Sequence, residues 1–236
     1  MTSFTGYTDI SAASAIVIDT TAPTVSSVVM ADANIDIDDT SLLTITFSEA
    51  VTAFANADLT IGNGTLTAVA SADGGVTWTA TFTPTGNHES TGNTIVVGTS
   101  YTDLAGNTGG SGTSNAYAID TKAPTITGIT SDTADGSYSA TQTVNVIVTF
   151  SEAVTLDGGN LVVTLDTGGT VTIETISGST TASGTYTIGA AQTTADLSAA
   201  SVALSGGTLS DASPFSNPMT SFTGYTDISA ASAIVI

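Results

Sequence analysis

The chain has 236 residues, 41% of them hydrophobic, with one lysine (Lys122), no arginine and 21 acidic residues, for a formal charge of −20. A single cation cannot form the basic patch that phosphates require, which excludes nucleic-acid binding and docking on anionic lipid. No apolar run is long enough to span a membrane, so no direct membrane insertion is expected, and without cysteines a secreted β-protein needs a staple other than disulfides.

Thr, Ser, Gly, Ala and Val dominate, and apolar residues alternate with Thr or Ser in short runs. That is the pattern of half-buried strands, and the prolines, glycines and asparagines fall between the runs, as turns require. The chain reads as all-β.

Residues 1–18, MTSFTGYTDISAASAIVI, recur letter for letter at 219–236. Fixed-period identity of this kind is the signature of a tandem array. The segment is strand-like and ends on Ala15-Ile16-Val17-Ile18. Residues 1–18 are therefore expected to be the terminal strand of a preceding repeat, with its own sheet outside this chain. No basic region and apolar core of a signal peptide follows Met1. Met1 has a counterpart in Met219, so that absence says nothing about location.

A weaker internal repeat divides the remainder. Ile18-Asp19-Thr20-Thr21-Ala22-Pro23-Thr24-Val25 matches Ile119-Asp120-Thr121-Lys122-Ala123-Pro124-Thr125-Ile126, and Thr46-Phe47-Ser48-Glu49-Ala50-Val51 matches Thr149-Phe150-Ser151-Glu152-Ala153-Val154. Two homologous modules are expected, at 19–121 and 122–236. In the first, strands are predicted near 24–30, 42–48, 57–61, 64–71, 75–83, 93–101 and 114–120. Asp73-Gly74-Gly75 makes a hairpin turn, and Trp78 fills the core. In the second, strands are predicted near 125–130, 142–151, 160–166, 170–176, 182–188, 198–203 and 229–236. So many short strands in each module suggest Greek-key sandwiches. Ending the chain at Pro218 would remove the second module's closing strand and expose a sheet edge.

The motifs Asp-Thr-Thr-Ala-Pro-Thr-Val, Phe-Ser-Glu-Ala-Val, Trp78-Thr-Ala-Thr-Phe-Thr-Pro84 and Thr102-Asp103-Leu104-Ala105-Gly106-Asn107 resemble the tandem bacterial Ig-like repeats of giant surface adhesins and biofilm-associated proteins. The second module, from Gly168-Gly169-Thr170 through Leu204-Ser205-Gly206-Gly207-Thr208-Leu209-Ser210-Asp211, resembles a sister subtype. The resemblance implies two tandem Ig-like β-sandwiches in a secreted or cell-surface protein, with Ca2+ rigidifying the joints. The family's Asp-x-Ala-Gly-Asn becomes Asp211-Ala212-Ser213-Pro214-Phe215-Ser216-Asn217 here, so no role is carried over to Asn217.

With one lysine, the carboxylates are either spread in water or bound to metal. Ig-like topology puts the N-terminal linker, the B–C loop and the F–G loop at one pole. Asp19, Glu49, Asp103 and Asn107 should converge there in the first module, and Asp120, Glu152 and Asp211 in the second. Asp36, Asp38 and Asp39, with His88 and Glu89, belong to the opposite pole of the first module, facing Asp120. A hard cation with six to eight oxygen ligands suits such a set, and Ca2+ fits better than Zn2+ or Cu2+ where cysteine is absent and histidine single. The competing reading is that the linker aspartates cap turns and the carboxylates are simply solvated. The run 34–39 has alternating acids but lacks the glycine and closing glutamate of an EF-hand loop.

Catalysis is not expected. The sequence has no nucleophile elbow, helical metal-hydrolase motif or phosphate loop, and His88 reads as a solvated loop residue. The leading expectation is a stalk segment holding an adhesive tip away from the cell, with neighbouring repeats as its partners. Any glycan or surface ligand would be met through other parts of the parent protein. The alternative is the subunit of an extracellular filament assembled by donor-strand exchange of the duplicated segment. A glycan-binding module, with Asn63 and Trp78 as its hooks, is a third class.

Overall fold

The computed structural model describes residues 18–236, so the strand expected at 1–18 lies outside the described residues except for Ile18. The described residues form an all-β chain with two short 3-10 turns, and none of its helices is long and apolar enough to cross a membrane.

Two compact units emerge. Among the described residues, unit 1 gathers 18–31, Ser41–Thr83 and Thr94–Ala116; unit 2 gathers Asp32–Thr40, Pro84–Asn93 and Tyr117–Ile236. Two short stretches lying before Asp120 in sequence thus pack with unit 2.

In unit 1 one sheet runs Val25–Met30, Ser41–Phe47, Thr77–Pro84 and Gly64–Leu66, with Ala70–Ser71 also paired to Thr77–Pro84. A second sheet joins Gly112–Thr113, Val96–Val97 and Leu59–Thr60. Strand Ser41–Phe47 shows why this sequence makes a sandwich: Ser41, Leu43, Ile45 and Phe47 are buried while the residues between them are not. Period-two alternation puts one side of a strand in the core. Facing side chains include Ile95 and Val97, and an aromatic group of Phe47, Phe54 and Tyr101 closes one end with ring centroids 4.8–5.7 Å apart. Trp78 is only half-buried, contrary to the expected core position. Its ring meets the edge of Phe54, and its indole N–H donates to the Gly75 carbonyl (2.9 Å). The hairpin at Asp73-Gly74-Gly75 is present, with both glycines at positive φ, and a Cβ on Gly75 would lie 2.6 Å from the Val51 carbonyl.

Unit 2 places a sheet of Ile126–Ser131, Thr143–Asp157, Ser179–Thr187 and Thr208–Asp211 against a sheet of Thr170–Ile173, Leu161–Leu165 and Ala199–Leu204. Its core is aliphatic, with Val144, Val146 and Val148 from one sheet and Leu161, Val163 and Val171 from the other. A separate three-stranded sheet has Tyr117–Asp120 at its centre, parallel to Asn34–Ile35 and antiparallel to Glu89–Asn93.

Residues 219–236 complete unit 2. Met219, Ile228 and Ile234 are buried in its core, and Phe222, Tyr225 and Ile236 pack against it. Where a strand is predicted at 229–236, only Ile234–Val235 pairs, in parallel with Gly136–Ser137. The residues before it form a 3-10 turn, Ile228–Ala230, because Asp227 accepts the Ile228 N–H and holds the chain in a bend.

Candidate metal centres

The motif Phe-Ser-Glu-Ala-Val does the same three jobs in each unit. Its serine clasps the incoming linker: Ser48 N–H donates to the Thr24 carbonyl and Ser48 Oγ accepts from Thr24 N–H, while Ser151 and Thr125 repeat both bonds. Its valine pairs across the sheet with an aspartate, Val51 with Asp103 and Val154 with Asp211. Its glutamate sits at the break between. In unit 2 that break is a register shift between Thr149 and Val154 within the long strand. The glutamate therefore stands beside both the linker aspartate and the paired aspartate.

In unit 1, carboxylate oxygens of Asp19, Glu49 and Asp103 lie within 4.8 Å of one another. Asp103 is buried, and its loop satisfies it fully: Oδ1 accepts from the N–H groups of Ala105 and Asn107 (2.8 Å each), and Oδ2 from Asn107 Nδ2 (2.7 Å). Burial raises the Asp103 pKa, but these hydrogen bonds outweigh it and leave the carboxyl below its usual value. Asn107 Nδ2 also donates to the carbonyls of Asp19 and Thr21 (3.2 Å each), which ties the linker to the loop. Glu49 is pushed above its ordinary value by burial and by the charges of Asp19 and Asp103.

In unit 2, carboxylate oxygens of Glu89, Asp120 and Glu152 lie within 4.8 Å of one another. Asp211 is 5% exposed and stands close enough to be the largest charge acting on Glu152. Asp36 adds to the field on Asp120 and Asp211. Burial first, then Asp211, Asp120 and Glu89, push Glu152 up to about 7. Burial and the charges of Asp120 and Asp36 hold Asp211 at about 6, against the opposing hydrogen bonds from Asn217. Burial likewise raises Asp120. Lys122 Nζ bonds Glu89 Oε2 at 2.9 Å, an exposed pair that leaves the inner carboxylates without a cation of their own.

Two oxygens decide what this cluster can do. Asp211 Oδ1 and Asp36 Oδ1 are buried and have no hydrogen-bond partner. Such atoms carry the full desolvation penalty unless something meets them. A hard cation would suit these oxygens in charge and in donor type, since the groups around them are also oxygens.

Other residues singled out by the sequence fall outside the clusters. Asp38 and Asp39 are exposed in the turn after Asp36 and join neither three-carboxylate group. His88, read from the sequence as solvated, is half-buried and its Nε2 lacks a partner. The cause is the strand pairing that follows it, with His88 and Thr121 joined by two hydrogen bonds (His88 N–H to Thr121 Oγ1, 3.0 Å; Thr121 N–H to the His88 carbonyl, 2.9 Å). Glu89 was legible as a neighbour of Asp120 but not as a cluster member. Asn217, to which the sequence carries over no role because its loop departs from the family pattern, occupies the same station as Asn107. Its Nδ2 donates to Asp211 Oδ2 (2.7 Å) and to the Asp120 carbonyl (2.9 Å), and Asp211 N–H donates to the Asn217 carbonyl at 3.1 Å, as Asp103 N–H does to Asn107.

A cleft of about 390 Å³ in unit 1 is lined by Phe54, Ala55, Asn56, Ala57, Ala68 and Val69. It presents no acid, base or nucleophile, and the Asn56 side chain is already bonded to Thr67 and Val69.

No curated protein matches this chain. Residues 19–119 match the family model of the bacterial Ig-like domain, and that stretch is therefore similar to a bacterial Ig-like domain in sequence as well as in its all-β fold.

Proposed function

We propose that this chain is a non-catalytic extender segment of a large bacterial cell-surface adhesin, working outside the cell, with Ca2+ bound in its acidic clusters. The observation that carries this reading is the place of residues 219–236, which restart the sequence and at the same time complete the core of unit 2. A chain built this way continues as a linear series of sandwiches, each stabilised by its own core and by its neighbours. Length and stiffness are its work, and adjacent repeats are its partners.

Calcium is supported by the orphaned oxygens of Asp36 and Asp211 and by the absence of internal cations other than Lys122. When bound, the ion supplies positive charge to carboxylates that otherwise repel one another. The residues that would hold it, Asp36, Glu89, Asp120, Glu152 and Asp211, come from chain segments far apart in sequence. Binding would cross-link those segments against pulling. Thermal melting and single-molecule pulling of the full chain, in calcium and in chelator, test this. Calcium should raise both the melting temperature and the unfolding force. Identical traces in chelator would remove calcium from the account.

One observation favours a second reading, a filament subunit. Because residues 1–18 have the sequence of 219–236, they could fill the same place in a neighbouring molecule. The intramolecular copy has the advantage of local concentration. Deleting residues 1–18 should leave an extender monomeric and folded, and should abolish polymerisation of a filament subunit.

A further inference from the structure

Resting on the calcium reading above, we infer that the two clusters are unequal cation sites: unit 2 holds the divalent ion, whereas the unit 1 counterpart binds it only weakly. The two are built on the same scaffold, since linker aspartate, motif glutamate, paired aspartate and bridging asparagine recur in each. They differ in what the loop after the paired aspartate does with that carboxylate.

In unit 1 the loop is short, and its N–H groups at Ala105 and Asn107 both turn onto Asp103 Oδ1. Neither oxygen of Asp103 is left without a donor. In unit 2 the loop is two residues longer and carries Pro214, which has no N–H to give. The N–H of Ser216 turns to Asp36 Oδ2 instead (3.1 Å), and Ser216 Oγ follows it (2.8 Å). The asparagine bridge to Oδ2 survives, but Asp211 Oδ1 loses its donors and stays buried without a partner. That oxygen belongs to a side chain 95% withdrawn from water, beside Asp120 and Glu152. Asp36 contributes a second buried oxygen in the same condition.

Charge separates the clusters further. The unit 1 group has three carboxylates, of which Asp19 is exposed. The unit 2 group has Glu89, Asp120 and Glu152, with Asp211 and Asp36 acting on them. Affinity for calcium rises with the number of charged ligands, which favours unit 2.

Calorimetric calcium titration of the full chain tests the assignment, with Asp211→Asn, Glu152→Gln and Asp103→Asn as variants and a melting curve to verify that each is folded. The wild-type chain should take up one tight equivalent. Asp211→Asn and Glu152→Gln should each weaken it by about tenfold or more through loss of a charged ligand. Asp103→Asn should leave the tight equivalent unchanged. If the tight equivalent disappears in Asp103→Asn, or persists in both unit 2 variants, the assignment is wrong although calcium binding stands. If the wild-type chain binds no calcium, the calcium reading itself fails.

Discussion

Two loops of different length, 103–107 and 211–217, end on the same hydrogen bond. In each, an asparagine amide reaches back to an aspartate Oδ2 at 2.7 Å and also grips the linker backbone. The shared bond pins the linker to the sheet, and the loop that precedes it decides whether the other aspartate oxygen is satisfied. The two oxygens of one side chain are thus held differently, one by the asparagine and the other by the preceding loop. Changing the loop alters the second without disturbing the first.

The largest effect should come from a difference in closure. Among the described residues unit 1 is complete without 219–236, but unit 2 needs Met219, Ile228 and Ile234 in its core. Each fully buried side chain of this size contributes about 1.5–3 kcal/mol, and three together approach the about 5–15 kcal/mol that holds a domain folded. A chain ending at Pro218 should therefore lose the unit 2 melting transition and keep that of unit 1, as read by calorimetry. Two intact transitions would show that the segment is dispensable.

The asparagines come next. Asn217 is 1% exposed, and besides its two donated bonds its Oδ1 accepts the Ile37 N–H at 2.7 Å. Asn217→Ala should destabilise unit 2 by about 2–4 kcal/mol, because buried partners are left unmet. Half-exposed Asn107 should cost about 1 kcal/mol on the same substitution, since water can replace it. Equal losses in chemical denaturation would mean that the bridges are not used differently.

Proton dependence should run in opposite directions in the two units when chelator is present. Glu152 at about 7 and Asp211 at about 6 lie above their values in an unfolded chain. The folded state keeps protons that the unfolded state has released, so this contribution is full below about pH 4 and is lost as pH rises towards 7. The change is on the order of 2 kcal/mol once partial exposure is allowed for. In unit 1, hydrogen bonds from Thr77 and Ser71 hold Asp73 at about 2, so its contribution is present above about pH 4 and is lost as pH falls towards 2. Melting from pH 3 to 8 should show the two transitions shifting oppositely, and parallel shifts would contradict the clusters' electrostatics.

The smallest effect concerns Lys122, which stands where unit 1 has Thr21. Its exposed pair with Glu89 offsets part of the charge that this carboxylate brings to the cluster. Lys122→Thr should tighten calcium binding by about two- to fivefold, the range an exposed ion pair is worth. Unchanged affinity would make Lys122 a surface ornament of the site.

The all-β character and most long strands were legible because Val, Ile and Leu alternate with Thr and Ser through 41–47 and 143–150. Strands such as Glu89–Asn93 and Thr208–Asp211 were missed, since Ser, Thr and Gly there give no alternation and pairing is imposed by neighbours. The station of Glu49 and Glu152 could be read from a repeated motif. Asn217 lines up with the family's asparagine, but the two-residue insertion before it leaves its role unreadable until the loop is folded. Asp36 and Glu89 lie far from Asp211 in sequence, and their part in the unit 2 cluster depends on strand pairing that no local signal announces.

The segment that completes unit 2 repeats residues 1–18 letter for letter. In the tandem array proposed above, gain or loss of whole periods would hand each internal body a finishing segment from the copy after it. Lengthening by unequal recombination then leaves no half-built sandwich inside the series, wherever within the period the exchange occurs.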